Sequence, residues 1–316
     1  MLRKLCVMLF GAWLALGAMS LQAAQNVPYL LTAAAKGDIG TVRAMLKSGA
    51  NPNIVDKDGI TPLMYAARKD QAEVVRVLVE SGANINATDS GGWSALMFAA
   101  KKNYVPTVKV LLEHGADARI RDTSGWSALG MAATSGYSEI IDLLIKHGVD
   151  ANAKSDDGKS VLMYAAKNGD LNTIRILMDN GADPAARDRF GVTALMYAAR
   201  AGNTEAIKLM LDKGVKVDAE DQTEWTALTW AVKRSQLEAA KVLVAHGADV
   251  DHEDSEGTPL LQYAVDNGAV NMVKFLLANE ADVDAKDQYG LTALVYALKG
   301  QHAEIAQLIR DAGGSY

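Results

Sequence analysis

Cysteine is all but absent from this chain: among 316 residues there is one, Cys6, and it lies in an N-terminal stretch expected to be removed. Without a thiol, the remaining chain has no disulfide, no cysteine-based zinc site and no cysteine nucleophile. Catalytic groupings are missing too. No Ser, His and Asp set stands outside the regular spacing described below, and no glycine-rich phosphate loop occurs. A basic tract for nucleic acid is lacking, and no apolar run reaches the roughly 20 residues of a membrane span.

The first residues are a separate object. Met1 to Lys4 is basic, Leu5 to Met19 is apolar apart from glycines, and Ser20 to Ala24 is small and polar. This is the pattern of a secretory signal peptide over residues 1–24, with cleavage after either the 18–20 or the 22–24 region; an uncleaved anchor is the alternative. Cys6 sits too early, with no lipobox before it, for a lipoprotein. Removing Arg3 and Lys4 leaves 30 basic against 38 acidic residues, a net charge of about −8. A thiol-free body behind a bacterial-style signal points to the periplasm, with release from the cell as the alternative.

What the chain has in abundance is repetition. A heptad of the form Thr/Ser-x-Leu-x-aromatic-Ala-Ala starts at Thr61, Ser94, Ser127, Ser160 and Thr193, a step of 33 residues, with weaker copies from Thr226, Pro259 and Thr292 and a degenerate one from Pro28. Its third position is Leu throughout, from Leu30 to Leu294, and its sixth is Ala, from Ala33 to Ala297. Leu and Ala three apart share one face of a helix, and a residue as small as Ala lets a neighbouring helix approach closely. A second run follows, as in Glu73 to Val79 and Glu139 to Ile145, apolar at helical spacing with charges opposite. Gly49, Gly82, Gly115, Gly148, Gly181, Gly214, Gly247 and Gly313 then form one column, broken by Glu280, where a left-handed residue ends a helix. The unit is a helical hairpin whose apolar faces are buried only by stacking on its neighbours.

A period near 33 with a Thr-Pro-Leu start resembles the ankyrin repeat. The resemblance covers about residues 26 to 314 and implies an all-α solenoid, with repeats near 26–55, 56–88, 89–121, 122–154, 155–187, 188–220, 221–253, 254–286 and 287–316 in one domain over residues 25–316. It also implies a protein-binding module without catalysis or cofactor, expected to be a monomer.

Several columns carry the candidate chemistry. The column after the Ala-Ala pair reads Ala35, Arg68, Lys101, Thr134, Lys167, Arg200, Lys233, Asp266 and Lys299, and its neighbour adds Lys36, Lys69, Lys102 and Arg234. Two readings remain open. Cations suit a helix C-terminus by about 0.3 to 1 kcal/mol, and a basic row in the concave groove that the resemblance implies would steer an acidic partner inwards. Trp93, Trp126 and Trp225 precede the heptad, with Phe190 and Tyr289 at nearby turn positions. They serve either partner contact or packing on the next hairpin. The candidate binding residues are therefore Arg68, Lys69, Trp93, Lys101, Lys102 and Trp126, with a second cluster of Arg200, Trp225, Lys233 and Arg234. The expected occupant is an acidic protein surface, and an immunity protein against an exported toxin or a host-directed effector are the narrower alternatives.

Other columns read as structural. The turn aspartates (Asp56, Asp89, Asp122, Asp188, Asp221, Asp254, Asp287) suit backbone capping rather than metal. Met64, Met97, Met163 and Met196, where the family usually has His, read as core fillers, which puts the usual bonding between neighbouring loops in doubt. Tyr65, Phe98, Tyr164, Tyr197, Trp230, Tyr263 and Tyr296 read as inter-repeat core, their hydroxyls reaching water or backbone. His114, His147 and His246 precede the helix-ending Gly, where a cation suits the dipole. Two departures stand out: Glu224 replaces a turn Gly and is expected to distort its hairpin, and Gly130 weakens its helix by about 1 kcal/mol relative to Ala.

Overall fold

The computed structural model describes residues 29–316. The expected signal peptide of residues 1–24, with Cys6, lies outside the described residues, as does the heptad start at Pro28. Among the described residues the regular structure is eighteen helices, the first over residues 29–36 and the last Ala303–Asp311, with isolated β-bridges such as Thr88 to Ser94 and Lys154 to Ser160 at the hairpin bases. None is long and apolar enough to cross a membrane. The chain forms two compact units, one ending at Val149 and the other running Asp150–Tyr316. Each is an all-α solenoid of helical hairpins, in which first helices pack on first helices and second on second.

Local chemistry starts each hairpin. In the first unit the Thr61 hydroxyl caps the helix Pro62–Ala67 by accepting the Met64 N–H at 3.2 Å, and Ser94 caps Ala95–Lys101 in the same way at 3.3 Å. The methionines do more than fill space. The sulfur of Met97 accepts the Ser94 N–H at 3.4 Å, and in the second unit Met163 and Met196 accept from Ser160 and Thr193 at 3.3 Å each. Each Met thus completes a reciprocal cap in the place of the usual Glu or Gln. All four methionines are buried, as their reading as core fillers expects, and Met97, Met163 and Met196 add the cap to that role. Gln262 tests this rule from the other side: its cap residue is Pro259, which has no N–H to give, and the buried Gln262 Oε1 finds no donor among the described residues.

Burial follows the columns. Leu63, Leu96 and Leu129 in the first unit and Leu162, Leu195 and Leu228 in the second are at most 1% exposed, and the alanines at 66, 99, 132, 165, 198 and 231 are fully buried. Truncating one of these leucines is worth about 2 to 5 kcal/mol. The second helices seal the other side with Val74, Val75 and Leu78 or Ile174 and Leu177.

Neighbouring loops are bonded without the family histidine. Asn53 donates to the Gly82 carbonyl at 3.0 Å and accepts the Asn84 N–H at 2.6 Å. Asn86 accepts the Asp117 N–H at 2.8 Å. In the second unit Asn152 repeats both bonds, with Gly181 and Asp183, while Asp251 and Asp284 accept from Asp282 and Ser315, at 2.7 Å each. Turn tips add backbone links, Ser90 N–H to Asp58 O in the first unit and Gln222 N–H to Phe190 O in the second, both at 3.1 Å.

Glu224 does not distort its hairpin. It adopts φ 61°, the left-handed conformation of the glycines it replaces (Gly191 has φ 81°), and its N–H reaches the Asp221 carbonyl at 3.1 Å as they do. The turn is imposed on a side chain that resists it, at about 1 to 2 kcal/mol. Replacing Glu224 by Gly relieves the strain but adds unfolded-state freedom, so a gain of up to about 1 kcal/mol is expected. Gly191→Ala should be destabilising, because its Cβ would lie 2.9 Å from the Gln222 nitrogen. Urea denaturation of the two variants checks both signs.

Candidate functional site

The candidate surface is the exposed side of the first helices, and it is built outward from the turn aspartates. One carboxylate oxygen of Asp56 accepts the Asp58 and Ile60 N–H groups at 2.9 Å each, and the other accepts the Tyr65 hydroxyl, nine residues on, at 2.8 Å. In the second unit Asp188 does the same for Phe190, Val192 and Tyr197, and Asp221 for Thr223, Trp225 and the Trp230 indole. Asp254 and Asp287 hold Tyr263 and Tyr296 alike. The capping role of the aspartates is as expected; the aromatic column is not. The polar atoms of Tyr65, Tyr197, Trp230, Tyr263 and Tyr296 reach these carboxylates rather than water or backbone, and, apart from the buried Tyr263, the rings of the column are half-buried rather than core.

These bonds move both partners' ionisation. Burial pushes the Asp56, Asp254 and Asp287 carboxyls up, but the N–H and phenol donors outweigh it and hold all three below the usual carboxylate range. The bond to its carboxylate raises the Tyr65 and Tyr296 phenols. Burial, then the carboxylate, raises Tyr197 and Tyr263 further.

Over this aromatic row lie the cations. In the first unit the Arg68 guanidinium stands 5.1 Å from the Phe98 ring centre, in the next repeat, and 6.0 Å from that of Tyr65, and Trp93 packs on Phe98 at 5.1 Å. Arg68 and Trp93 are therefore brought together through a ring outside the candidate set. Lys101 reaches forward to the Thr134 and Ser135 hydroxyls at 3.5 and 3.4 Å. Lys69 and Lys102 are exposed just beyond their helices, Lys69 bordering a depression of about 590 Å³ with Leu31, Lys36 and Tyr65. Trp126 lies over its own helix: a Cβ at Gly130 would fall 2.3 Å from its ring. Gly130 is there to make room, which the helix-propensity reading alone misses.

In the second unit the network is larger. Arg200 sits 4.8 Å over Trp230, Trp230 meets Trp225 edge-on at 4.9 Å, Trp225 meets Tyr263 at 5.4 Å, and Lys233 sits 4.3 Å over Tyr263. The Trp225 indole also donates to Asp254 at 3.3 Å, so this tryptophan is built into the joint between repeats. Arg234 is exposed at the helix C-cap. A depression of about 410 Å³ opens between two first helices, Val161–Asn168 and Ala194–Ala201, lined by Lys159, Tyr164, Lys167, Tyr197 and Arg200. All of these but Arg200 lie outside the sequence-derived set, as do Trp230 and Tyr263. Lys167 shares the column of Arg68, and Lys159 stands where other repeats place Trp; those were the available signals.

Charge is unevenly shared. Residues 29–149 carry 13 basic and 12 acidic side chains, and residues 150–316 carry 17 and 26. His114, His147 and His246 each bond the carbonyl four residues earlier through Nδ1, at 2.8, 2.8 and 2.7 Å.

A family model described as ankyrin repeats in three copies matches residues 30–122, 115–188, 163–254 and 246–315. No curated protein matches the chain.

Two outcomes follow for the site. The depressed carboxyls contribute stability that is complete above their unfolded value near 3.9 and is lost as pH falls through the folded values. The raised phenols contribute stability that is complete below about 10 and is lost as pH rises through theirs. Urea midpoints should therefore be flat between about pH 5 and 9 and drop on both sides, with Tyr263→Phe shrinking the alkaline loss. Gly130→Ala should destabilise despite a propensity gain of about 1 kcal/mol, and Gly130→Ala with Trp126→Leu should recover; a stabilised single variant would contradict the placement of Trp126.

Proposed function

The chain belongs to the ankyrin-repeat family, whose arrays are protein–protein interaction scaffolds, and from that premise we propose that it binds an acidic partner protein on the first-helix side of its units, taken as the concave groove. The observation that carries the reading is the row of cations set over aromatic rings: Arg68 on Phe98, Arg200 on Trp230, Lys233 on Tyr263. A cation over a ring keeps one face free for an incoming carboxylate while its stem is held in place, which lowers the ordering cost of contact. Against an acidic chain, such a row supplies local steering that the net charge does not. Catalysis has no part in this reading. Lys69, Lys102 and Arg234 add exposed charge at the helix ends, and the tryptophans act chiefly by holding the rings in register.

The same reading takes residues 1–24 as a cleaved export signal and places the protein in the periplasm, with a mature chain starting near Gln25. N-terminal sequencing of protein recovered from the envelope fraction tests this; a chain that still begins at Met1 would exclude it.

Binding is tested by capture from envelope extract with the parent protein beside Arg68→Glu/Lys69→Glu/Lys102→Glu, a variant that leaves every tryptophan in place. Circular dichroism should be unchanged. A single protein retained by the parent and weakened on the order of tenfold or more by the variant is the expected outcome. Equal retention by both would remove the groove in the first unit from the interface.

A further inference from the structure

In a repeat array each position has a set task, so side chains that leave the pattern together mark a local purpose. Two neighbouring repeats of the second unit do so. Ser155 stands in the column of Asp56, Asp89, Asp122 and Asp188; Lys159 in that of Ile60, Trp93, Trp126, Val192 and Trp225; and Phe190 in that of Asp58, Gly91, Ser124, Asp157, Thr223 and Glu256, where Tyr289 is the other aromatic. None of the three is needed to make a hairpin.

They converge on one place. Ser155 donates its hydroxyl to Asp157, whose other oxygen holds the Lys159 ammonium at 2.6 Å. Lys159 thereby borders the depression of about 410 Å³ that Lys167 and Arg200 also line, with Tyr164 and Tyr197 between them. Three cations thus line it, and no carboxylate among the described residues does; Lys159 is paired with Asp157, and Asp188 is buried and already accepts two N–H groups and the Tyr197 hydroxyl. Phe190 is 60% exposed on the adjoining turn tip, which is fastened to the turn of residues 155–158 by Arg189 donating to the Asp156 carbonyl at 3.1 Å. The repeat pair that forms this basic recess thus also carries an uncovered aromatic ring on its turn tip, outside the recess lining.

We propose that this recess seats the carboxylate of an acidic partner segment between Lys159, Lys167 and Arg200, with an apolar residue next to that carboxylate resting on Phe190. The proposal rests on the acidic-partner reading and narrows it to one seat. A guanidinium and two ammonium groups suit a carboxylate in both charge and hydrogen bonding, and the recess falls in the size range of a side-chain pocket rather than a flat contact.

Fluorescence anisotropy of a short labelled peptide alternating glutamate and leucine tests it on the purified protein. Lys159→Val, which restores the residue type of Val192, and Lys167→Gln should each weaken binding by roughly tenfold, and Phe190→Ser by about fivefold. Lys208→Gln, an equal loss of charge on a second helix where Lys208 pairs with Glu205 at 2.7 Å, should stay within about twofold of the parent. The glutamine counterpart of the peptide should fail to compete. Parent-like binding by both Lys159→Val and Lys167→Gln would overturn the seat, and so would an equal loss in Lys208→Gln or full competition by inorganic phosphate. If the seat variants bind normally while Arg68→Glu/Lys69→Glu/Lys102→Glu binds weakly, the acidic-partner reading stands and the seat alone is lost. If no first-helix variant changes binding, both fall.

Discussion

One carboxylate, used twice, organises this structure. The turn aspartate ties down its own hairpin with one oxygen and, with the other, fixes an aromatic ring nine residues later on the first helix. The first use sets the loop; the second decides that the ring stands upright beside the helix rather than sinking between repeats. Much of the candidate surface depends on that posture. Cations find rings to lie over, Trp225 finds Trp230 and Tyr263 as neighbours, and the recess between Tyr164 and Tyr197 stays open. Charge-assisted bonds of this kind exceed neutral ones by about twofold, and partial burial strengthens them.

Where that carboxylate is missing, the surface changes character. Ser155 passes its turn duty to Asp157, which recruits Lys159, and a position given over to Trp in Trp93, Trp126 and Trp225 becomes a cation. Phe98 has no hydroxyl to give its aspartate, and there the ring is held by Trp93 and roofed by Arg68 instead. Local substitution within a fixed frame is how a repeat array acquires a face of its own. The frame costs little to vary because each hairpin answers only to its neighbours.

The frame itself was readable from the sequence. The step of 33, the Leu and Ala columns, the Thr and Ser caps and the helix-ending glycines all report short-range chemistry, and all recur at their expected places. What could not be read has a common cause: it depends on which atoms meet across the turn. Nothing in the spacing says that Met97 will offer its sulfur to Ser94, or that Tyr197 will find Asp188 rather than water. Gly130 looks like a flaw until Trp126 is seen to occupy the space its side chain would need. Glu224 looks like a break, yet the loops on both sides impose the glycine conformation on it. The candidate cations are legible because charge repeats visibly, whereas the rings beneath them read as core because half-burial and full burial share one periodicity.

The methionine caps have a chemical consequence of their own. Met64, Met97, Met163 and Met196 are each about 1% exposed, and the last three already hold an N–H at sulfur. Oxidants attack sulfur where it is accessible, and conversion to the sulfoxide would force a polar oxygen into the tightest part of the hairpin. Sealing these sulfurs keeps the helix starts out of reach of peroxide or hypochlorous acid and leaves the part-exposed Met45 and Met178 as the more accessible methionines among the described residues.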